Sequence, residues 1–200
     1  SPVPSLARFV LALDGVAHDD SPALGRSTAA VTQLFARPGG PNVIPSEASA
    51  TVDWRHVPGE TPDVVAARLL GAARACADAG VTAEVRMPER DLVSWTGVAR
   101  PVPRLSRAFA TDPESPAFLA CREALSQALE RPIPAIAWDF ASDGGWLAQA
   151  GALVVGFGPG ETDCMHARDE AVPLSSLVDA VLGNVALLVA LDDALAGEAP

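Results

Sequence analysis

The sequence predicts an α/β protein whose first half is an α+β layer, and three features lead to this fold class. Residues 1–88 show, in order, the periodicities of a helix, two strands, a helix and a strand, which is a βαββαβ unit without its first strand. Residues 89–114 contain three prolines and no sustained period, as a connection between domains would. Beyond them, helical patterns alternate with short apolar runs typical of buried strands. We therefore expect one domain at 1–90 and another at 91–200.

The composition favours a globular protein with an acidic surface. The 200 residues carry a net charge of -11, and all 14 basic residues are arginines. This negative charge repels phosphate backbones and anionic lipid headgroups, so we expect neither nucleic acid nor membrane as a partner. The most apolar stretch, residues 177–191, is interrupted by polar residues and is expected to be too short to span a bilayer.

The three cysteines, Cys76, Cys121 and Cys164, are widely spaced and include no CxxC pair. This spacing argues against a disulfide framework and against a structural zinc knuckle. Reduced thiols in a cytoplasmic protein are the simplest interpretation. Because Cys76 shares a helical stripe with Val65 and Leu69, we expect it to be a small core residue.

The first half of the chain gives clear local signals for its elements. From Glu47 to Val57, apolar residues alternate with polar ones, which predicts a half-buried strand. Thr61, Pro62 and Asp63 are typical of a helix start, and Gly80 is expected to end that helix. The remaining predicted elements are a helix over residues 5–16 and strands over residues 27–35 and 81–87.

Arg55, on the alternating strand, is a candidate site residue, whereas His56 and His18 are not expected to be ligands. Arg55 lies on the polar face of this strand, where the guanidinium can bind a carboxylate through two hydrogen bonds or form an ion pair with a neighbouring acid. His56 has the parity of Trp54 and is expected to lie in the core or at its rim. His18 follows the first helix in a polar turn and is expected to be solvated.

The second half alternates helices with apolar stretches. Ser115 and Pro116 predict the start of a helix that ends before Pro132. Residues 142–145 open a further helix, whose free backbone N–H groups suit an anion, and Gly151 ends it. The other predicted elements are strands over residues 133–140 and 152–157, the latter buried in a parallel sheet, and an apolar-faced helix over residues 173–195.

The glycine-rich loop from Phe157 to Glu170 places His166 between acidic residues. It leaves the end of the predicted 152–157 strand, where open α/β sheets usually bind ligands. Neutral imidazole and carboxylates are the usual nitrogen and oxygen ligands of zinc. One ligand does not make a site, so these residues alone fit a metal site and an ordinary surface loop equally well. A nucleophilic pair of Cys164 with His166 has no further support.

Four segments occur in an order that points to one family. They are Asn42-Val43-Ile44-Pro45, Ala50-Thr51-Val52-Asp53-Trp54-Arg55 with Pro58-Gly59-Glu60, Ser142-Asp143-Gly144, and Val155-Gly156-Phe157-Gly158-Pro159-Gly160 with His166 and Asp169-Glu170. Together they cover nearly the whole chain. The sequence resembles the di-zinc family of aminoacylases, acetylornithine deacetylases, succinyl-diaminopimelate desuccinylases and related carboxypeptidases.

This resemblance implies an architecture and a chemistry. In the family, a βαββαβ lid that also forms the dimer is inserted into a zinc-binding α/β catalytic domain. Residues 1–90 would then be most of the lid, through which a homodimer forms. Two zinc ions, which cobalt or manganese can replace, share a bridging water that attacks an amide carbonyl, with a glutamate as general base.

The resemblance also implies roles for individual residues. His166 matches the last metal ligand, and Glu170 is a candidate for orienting its imidazole. Asn42 and Arg55 match lid residues that hold the substrate's carboxylate or the developing oxyanion, often in the neighbouring subunit's site. The residues that match a loop lining the substrate pocket are Ser142, Asp143 and Gly144.

The family's other metal ligands and its glutamate base lie upstream of the lid, and this chain has no match for them. His18 does not fit the family's lid histidine, because only 24 positions separate it from Asn42. We therefore expect the C-terminal half of a metal-dependent amidohydrolase or peptidase, inactive alone and completed by an N-terminal half. Its substrates would be carboxylate-bearing N-acyl amino acids or small peptides. The alternative is a non-catalytic dimerisation or binding module that has kept the fold.

Overall fold

A computed structural model of the chain describes residues 1–138, 140–165 and 167–197, without the side chains of residues 162 and 193–197. The chain divides into two compact units. The first comprises residues 1–109 and 139–145, and the second comprises residues 110–138 and those from 146 onward. The predicted boundary at residue 90 stays a prediction.

Helices and small antiparallel sheets are mixed along the described residues, so the class is α+β, which confirms the α+β fold predicted for the first half of the chain. The helices are α1 (Val3–Ala12), α2 (Pro62–Ala75), α3 (Pro116–Ala128), α4 (Gly144–Gln149) and α5 (Leu174–Gly197). The strands are β1 (Asp20–Ser21), β2 (Gly25–Arg26), β3 (Thr28–Arg37), β4 (Glu47–Arg55), β5 (Glu89–Val93) and β6 (Ala99–Pro103).

The first unit is built on the β3–β4 hairpin. Its antiparallel register runs from Thr28 opposite Arg55 to Arg37 opposite Glu47, with one irregularity near Thr32. Along β4, burial alternates residue by residue as the sequence predicts. The inward face packs against α1 and α2 around a core of Phe9, Leu13, Val16, Val65 and Leu69.

A buried polar network fastens the end of this hairpin to α2. The carboxylate of Glu60 is fully buried, and three side chains donate to it. Trp54 Nε1 donates to Oε2 over 3.0 Å, while Arg68 Nη1 and Ser27 Oγ donate to Oε1 over 2.6 and 3.3 Å. The Nη2 of Arg68 also bonds to Asp19 over 2.7 Å. A charge removed from water in this way is tolerated only when it is hydrogen bonded and paired.

The start of α2 is as predicted, but its end is not. Thr61 Oγ1 accepts the Val64 N–H over 3.3 Å, which is an N-cap bond. The helix ends at Ala75, because the Arg8 side chain donates to the Cys76 carbonyl and satisfies the helix end earlier. The prediction that Gly80 ends the helix is therefore wrong, although Gly80 does adopt φ +82° in the loop beyond.

Residues 81–87 are not a strand, contrary to the sequence prediction. The alternation of burial is present, with Val81, Ala83 and Val85 half-buried and the intervening polar residues exposed. A strand also requires a ladder partner, which no side-chain pattern specifies. The segment thus contributes Val85 to the core without extending the sheet.

The second unit is organised by α3 packing on α5. Its buried core consists of Cys121, Leu125 and Leu187, and Phe157 packs against this cluster. Gly183 lies beneath the Phe157 ring, so that a Cβ at this position would collide with the ring and with Leu125. Gly183 interrupts the apolar stretch in the sequence, and in the structure its missing side chain leaves space for the Phe157 ring.

Two further strand predictions in the second unit are wrong. The described residues of 133–140 and all of 152–157 are extended without strand pairing, and Leu153 is 41% exposed. The Val154 carbonyl is instead bonded by Thr111 Oγ1 over 2.6 Å. Apolar runs indicate burial, but a parallel strand forms only beside a neighbouring strand.

Within the part of the chain that the structure describes, one helix is long and apolar enough to cross a membrane by length and composition. This window of α5, Leu174–Asp192, has a mean hydropathy of 2.0, and 17% of it is buried. The expectation that this segment is too short to span a bilayer is therefore wrong. The helix begins before residue 177 and ends after residue 191. Core helices of soluble proteins pass the same test when they are mostly buried, whereas this helix leaves most of its surface uncovered.

Candidate substrate-binding site

Arg55 ends β4 on the exposed face, as its parity predicts. Its Nε and Nη2 both donate to Asp53 Oδ2, over 3.2 and 3.1 Å. The pair is open to solvent, with 58% of the Arg55 side chain exposed. The ion pair with a neighbouring acid is thus formed, and the guanidinium remains accessible to a second carboxylate. Its role in binding substrate stays a prediction.

Asn42 lies in the loop between β3 and β4, in a turn closed by a 3.3 Å bond from Val43 N to the Gly40 carbonyl. Arg55 lies at the opposite end of β4. The nine residues of β4 lie between the loop and that end, and their eight steps of about 3.3 Å give a strand roughly 26 Å long. The hairpin therefore presents the two predicted substrate-binding residues at different ends.

Residues 142–144 form a tight turn at the start of α4, in which Gly144 N donates to Ser142 Oγ over 3.3 Å. Ser142 and Asp143 are exposed. The next residue, Gly145, is buried against the backbone carbonyl of Arg107, where a Cβ would collide. The turn is thereby fixed against the segment that ends the first unit.

His56 lies at the rim of the core, as predicted, and contacts the same segment. Its Nε2 accepts the Ala108 N–H over 3.1 Å, so the imidazole proton resides on Nδ1. Burial lowers the pKa of His56 from its usual 6.5, Glu60 opposes this effect, and the Arg107 charge adds to it. The sequence contained no signal for this contact, because 52 positions separate the two residues.

The prediction that His18 is solvated is wrong. Its imidazole stacks on Trp54, with ring centroids 4.5 Å apart and planes 8° from parallel. His18 Nδ1 also lies 3.1 Å from Ser27 Oγ, the hydroxyl that bonds to Glu60. His18 therefore belongs to the buried network of the first unit, which its polar neighbours in sequence do not indicate.

The predicted metal ligand, His166, lies outside the described residues. On either side of it the loop is a series of turns, with Cys164 N bonded to the Glu161 carbonyl over 3.1 Å and Ala167 N bonded to the Cys164 carbonyl over 3.1 Å. Glu170 is exposed, and its predicted role in orienting His166 stays a prediction.

A metal requires several converging ligands. Among the residues that the structure describes, no three His, Cys, Asp or Glu side chains are grouped to hold an ion. The described residues therefore do not form a metal site by themselves, and we derive no reaction step through one.

Comparison with known proteins identifies part of the chain. Residues 1–79 match the sequence model of the peptidase dimerisation domain of M20 peptidases. No curated protein sequence matches the chain.

Two solved structures have a similar fold. One is an M20 family metallo-carboxypeptidase, Sso-CP2 from Sulfolobus solfataricus, with a TM-score of 0.53 and 16% identity over 82% of this chain. The other is the di-peptidase Dug1p from Saccharomyces cerevisiae, with a TM-score of 0.54 and 14% identity over 84% of this chain. The matches span 36% and 34% of those two proteins. Residues 1–79 are thus similar to a peptidase dimerisation domain, and the fold of the chain is similar to about a third of each of these two enzymes.

Proposed function

We propose that this chain is the C-terminal half of a metal-dependent amidohydrolase or peptidase that hydrolyses carboxylate-bearing N-acyl amino acids or small peptides. The match of residues 1–79 to a peptidase dimerisation domain carries the proposal. The resemblance of the 155–170 segment to a metal-binding loop supports it. His166 would supply one ligand to a zinc site, and the missing half would supply the rest and the general base.

Arg55 is the residue that we propose for the substrate's carboxylate. A guanidinium presents two parallel donors to a carboxylate, and the exposed Arg55 side chain is accessible for this contact. Its pairing with Asp53 holds the side chain at the end of β4 before substrate arrives. The turn at residues 142–144 would line the same pocket.

The exposed face of α5 supports the existence of a missing half. Several large apolar side chains on this helix are about half exposed or more: Leu174, Val178, Val181, Leu182, Val185, Leu188 and Val189. Monomeric proteins rarely leave a continuous patch of this kind uncovered. The similar enzymes are about three times as long as the matched region, so an additional segment of the catalytic domain is the occupant that we propose.

Hydrolysis by the complete protein tests the proposal. We expect the protein from the full reading frame to hydrolyse members of a panel of N-acyl amino acids and dipeptides, and to lose activity when a chelator removes its metal. His166→Ala should lower metal content and kcat/KM together. Retained activity at unchanged metal content would remove His166 from the site, and an inactive, metal-free complete protein would favour a non-catalytic module.

Arg55→Lys tests the carboxylate contact. We expect KM to rise by about tenfold or more, because lysine lacks the two parallel donors. Asp53→Asn is the control, since it removes the ion pair with Asp53 and leaves the guanidinium intact. Equal losses in the two variants would indicate that Arg55 serves only the ion pair.

Charged substitutions on α5 test what covers this helix. Val181→Glu with Leu188→Glu should leave this chain folded, because both side chains are exposed, and should prevent the further segment of the catalytic domain from packing on α5 in the complete protein. Binding of the unaltered chain to neutral phosphatidylcholine vesicles, abolished by the same substitutions, would favour a membrane as occupant instead. Sedimentation of the complete protein tests the proposed homodimer through residues 1–79.

A further inference from the structure

Two independent contacts converge on the segment that ends the first unit. From the end of β4, His56 Nε2 accepts the Ala108 N–H over 3.1 Å. From the turn before α4, Gly145 approaches the carbonyl of Arg107 so closely that no side chain fits at this position. We name this arrangement of His56, Arg107, Ala108 and Gly145 the clasp. Each contact comes from a residue next to a predicted substrate-binding group.

The two neighbours of the clasp are Arg55 and the turn at residues 142–144. Arg55 precedes His56 directly, and Gly144 precedes Gly145. Since adjacent Cα atoms are about 3.8 Å apart, a displacement of His56 or Gly145 is transmitted to the neighbouring residue. The ladder with β3 holds the backbone of Arg55 opposite Thr28, while its side chain is exposed and bonds to Asp53, two residues away.

We propose that His56 is a positioning residue, which in its neutral form accepts the Ala108 N–H and so fixes Arg55 relative to the pocket turn at residues 142–144. This inference rests on the proposed function of these groups. A charged imidazole has two N–H donors and no acceptor, so protonation removes the bond to Ala108. The charged groups that act on the ring are Glu60, from the loop after β4, and Arg107, from the clasp itself.

Hydrogen exchange of the Ala108 amide tests the clasp in the 200-residue chain. We expect His56→Ala to speed this exchange about tenfold, the equivalent of one lost hydrogen bond. His56→Gln should keep it within about threefold of the original rate, because the Gln carbonyl reaches the position of Nε2 and accepts the same bond. Glu84→Gln, which breaks an exposed ion pair elsewhere in the first unit, is the control and should leave the rate unchanged.

Acid provides a second measurement that does not require the Ala variant to fold. In the unaltered chain, the protection of Ala108 should fall as His56 becomes protonated, whereas in His56→Gln it should not. The ¹⁵N shifts of the imidazole should show Nδ1 protonated at neutral pH. Equal exchange rates in the unaltered chain and His56→Ala, or a proton on Nε2, would overturn the proposal.

Kinetics of the complete protein link the clasp to substrate. We expect His56→Ala to raise KM for carboxylate-bearing substrates several-fold more than it lowers kcat. His56→Gln should keep KM near that of the unaltered protein and reduce the change of KM as the pH falls. If His56→Ala speeds exchange of the Ala108 amide but leaves KM unchanged, His56 does not help to position Arg55 for substrate. If the complete protein shows no hydrolysis, the proposed function fails, and the exchange measurements still decide whether the clasp exists.

Discussion

The first unit buries a carboxylate among three donors, whereas the second unit leaves most of an apolar helix exposed. Glu60 is fully buried, and its hydrogen bonds join β4, α2 and Ser27, the residue before β3. In the second unit the described core is confined to Cys121, Leu125 and Leu187, and α5 is mostly uncovered. The first unit therefore has the internal contacts of a self-contained layer. In the described part of the second unit, α5 is packed on one side only, against α3 and Phe157.

The better-packed first unit is also the unit that contains the family match. The residues that match a peptidase dimerisation domain, 1–79, all lie within the first unit. Under the proposed function, the first unit is a domain that folds on its own contacts, whereas the second unit shares its core with a further segment of the catalytic domain. We therefore expect substitutions to destabilise the two units in different ways. The first unit should lose stability when a buried polar group loses its partner, and the second when a side chain is added to its small core.

The largest effect is expected from Glu60→Ala. This substitution leaves the Trp54 indole N–H and the Ser27 hydroxyl without their partner, and removes one of the two acids that bind Arg68. Breaking a buried pair in this way costs about 3 kcal/mol of the free energy of unfolding. Urea denaturation measures it, with the exposed pair variant Glu84→Gln as a control that should cost well under 1 kcal/mol.

Hydrogen exchange should locate the loss in β3 and β4, with α3 and α5 little changed. If α5 loses protection to the same extent, the two units unfold together and the comparison between them fails. If Glu60→Ala costs no more than Glu84→Gln, the buried network contributes little to the stability of the first unit.

Two helical glycines provide a matched test of packing. Gly183 lies under the Phe157 ring, whereas a Cβ on Gly71 in α2 would meet nothing within 4 Å. Gly183→Ala should destabilise the second unit by about 1–3 kcal/mol through overpacking, which outweighs the gain in helix propensity. Gly71→Ala should stabilise the first unit by up to about 1 kcal/mol, since only the propensity changes.

The midpoints of urea denaturation measure both glycine variants. A stabilising effect of Gly183→Ala would show that α5 and Phe157 move apart at little cost. The contact between α5 and Phe157 would then be loosely packed.

Local elements were predictable because their causes lie in nearby residues. The alternation along β4 and the cap at Thr61 depend on positions a few residues apart, and both are present. The end of α2 was not predictable, because Arg8, from a distant helix, satisfies it. The strands predicted at 81–87 and 152–157 depend on partner strands, which the residues of the segment do not specify.

The candidate site shows the same limit. The family resemblance pointed to Arg55 and the turn at residues 142–144, whose roles stay predictions, and the structure confirms that Arg55 lies on the exposed face of β4. The contact of His56 with Ala108 and the stacking of His18 on Trp54 join residues that are far apart in sequence. Neither residue type nor spacing indicated these contacts, since both depend on how the hairpin packs.

The smallest predicted effect is the pH dependence that His56 gives to the first unit. Burial lowers the pKa of His56 in the folded chain below 6.5, so the unfolded chain binds the proton more tightly. The stability that the neutral imidazole contributes is thus fully present above pH 6.5 and is lost as the pH falls through the lowered pKa.

Because carboxylates also titrate in acid, the measurement is a difference between two proteins. We expect the free energy of unfolding of the unaltered chain to fall more between pH 7.5 and pH 5 than that of His56→Gln, as measured by urea denaturation at each pH. Hydrogen exchange should place this extra loss in the first unit. An equal fall in both proteins would mean that His56 is charged or solvent-exposed in the folded chain, which would contradict the bond to Ala108.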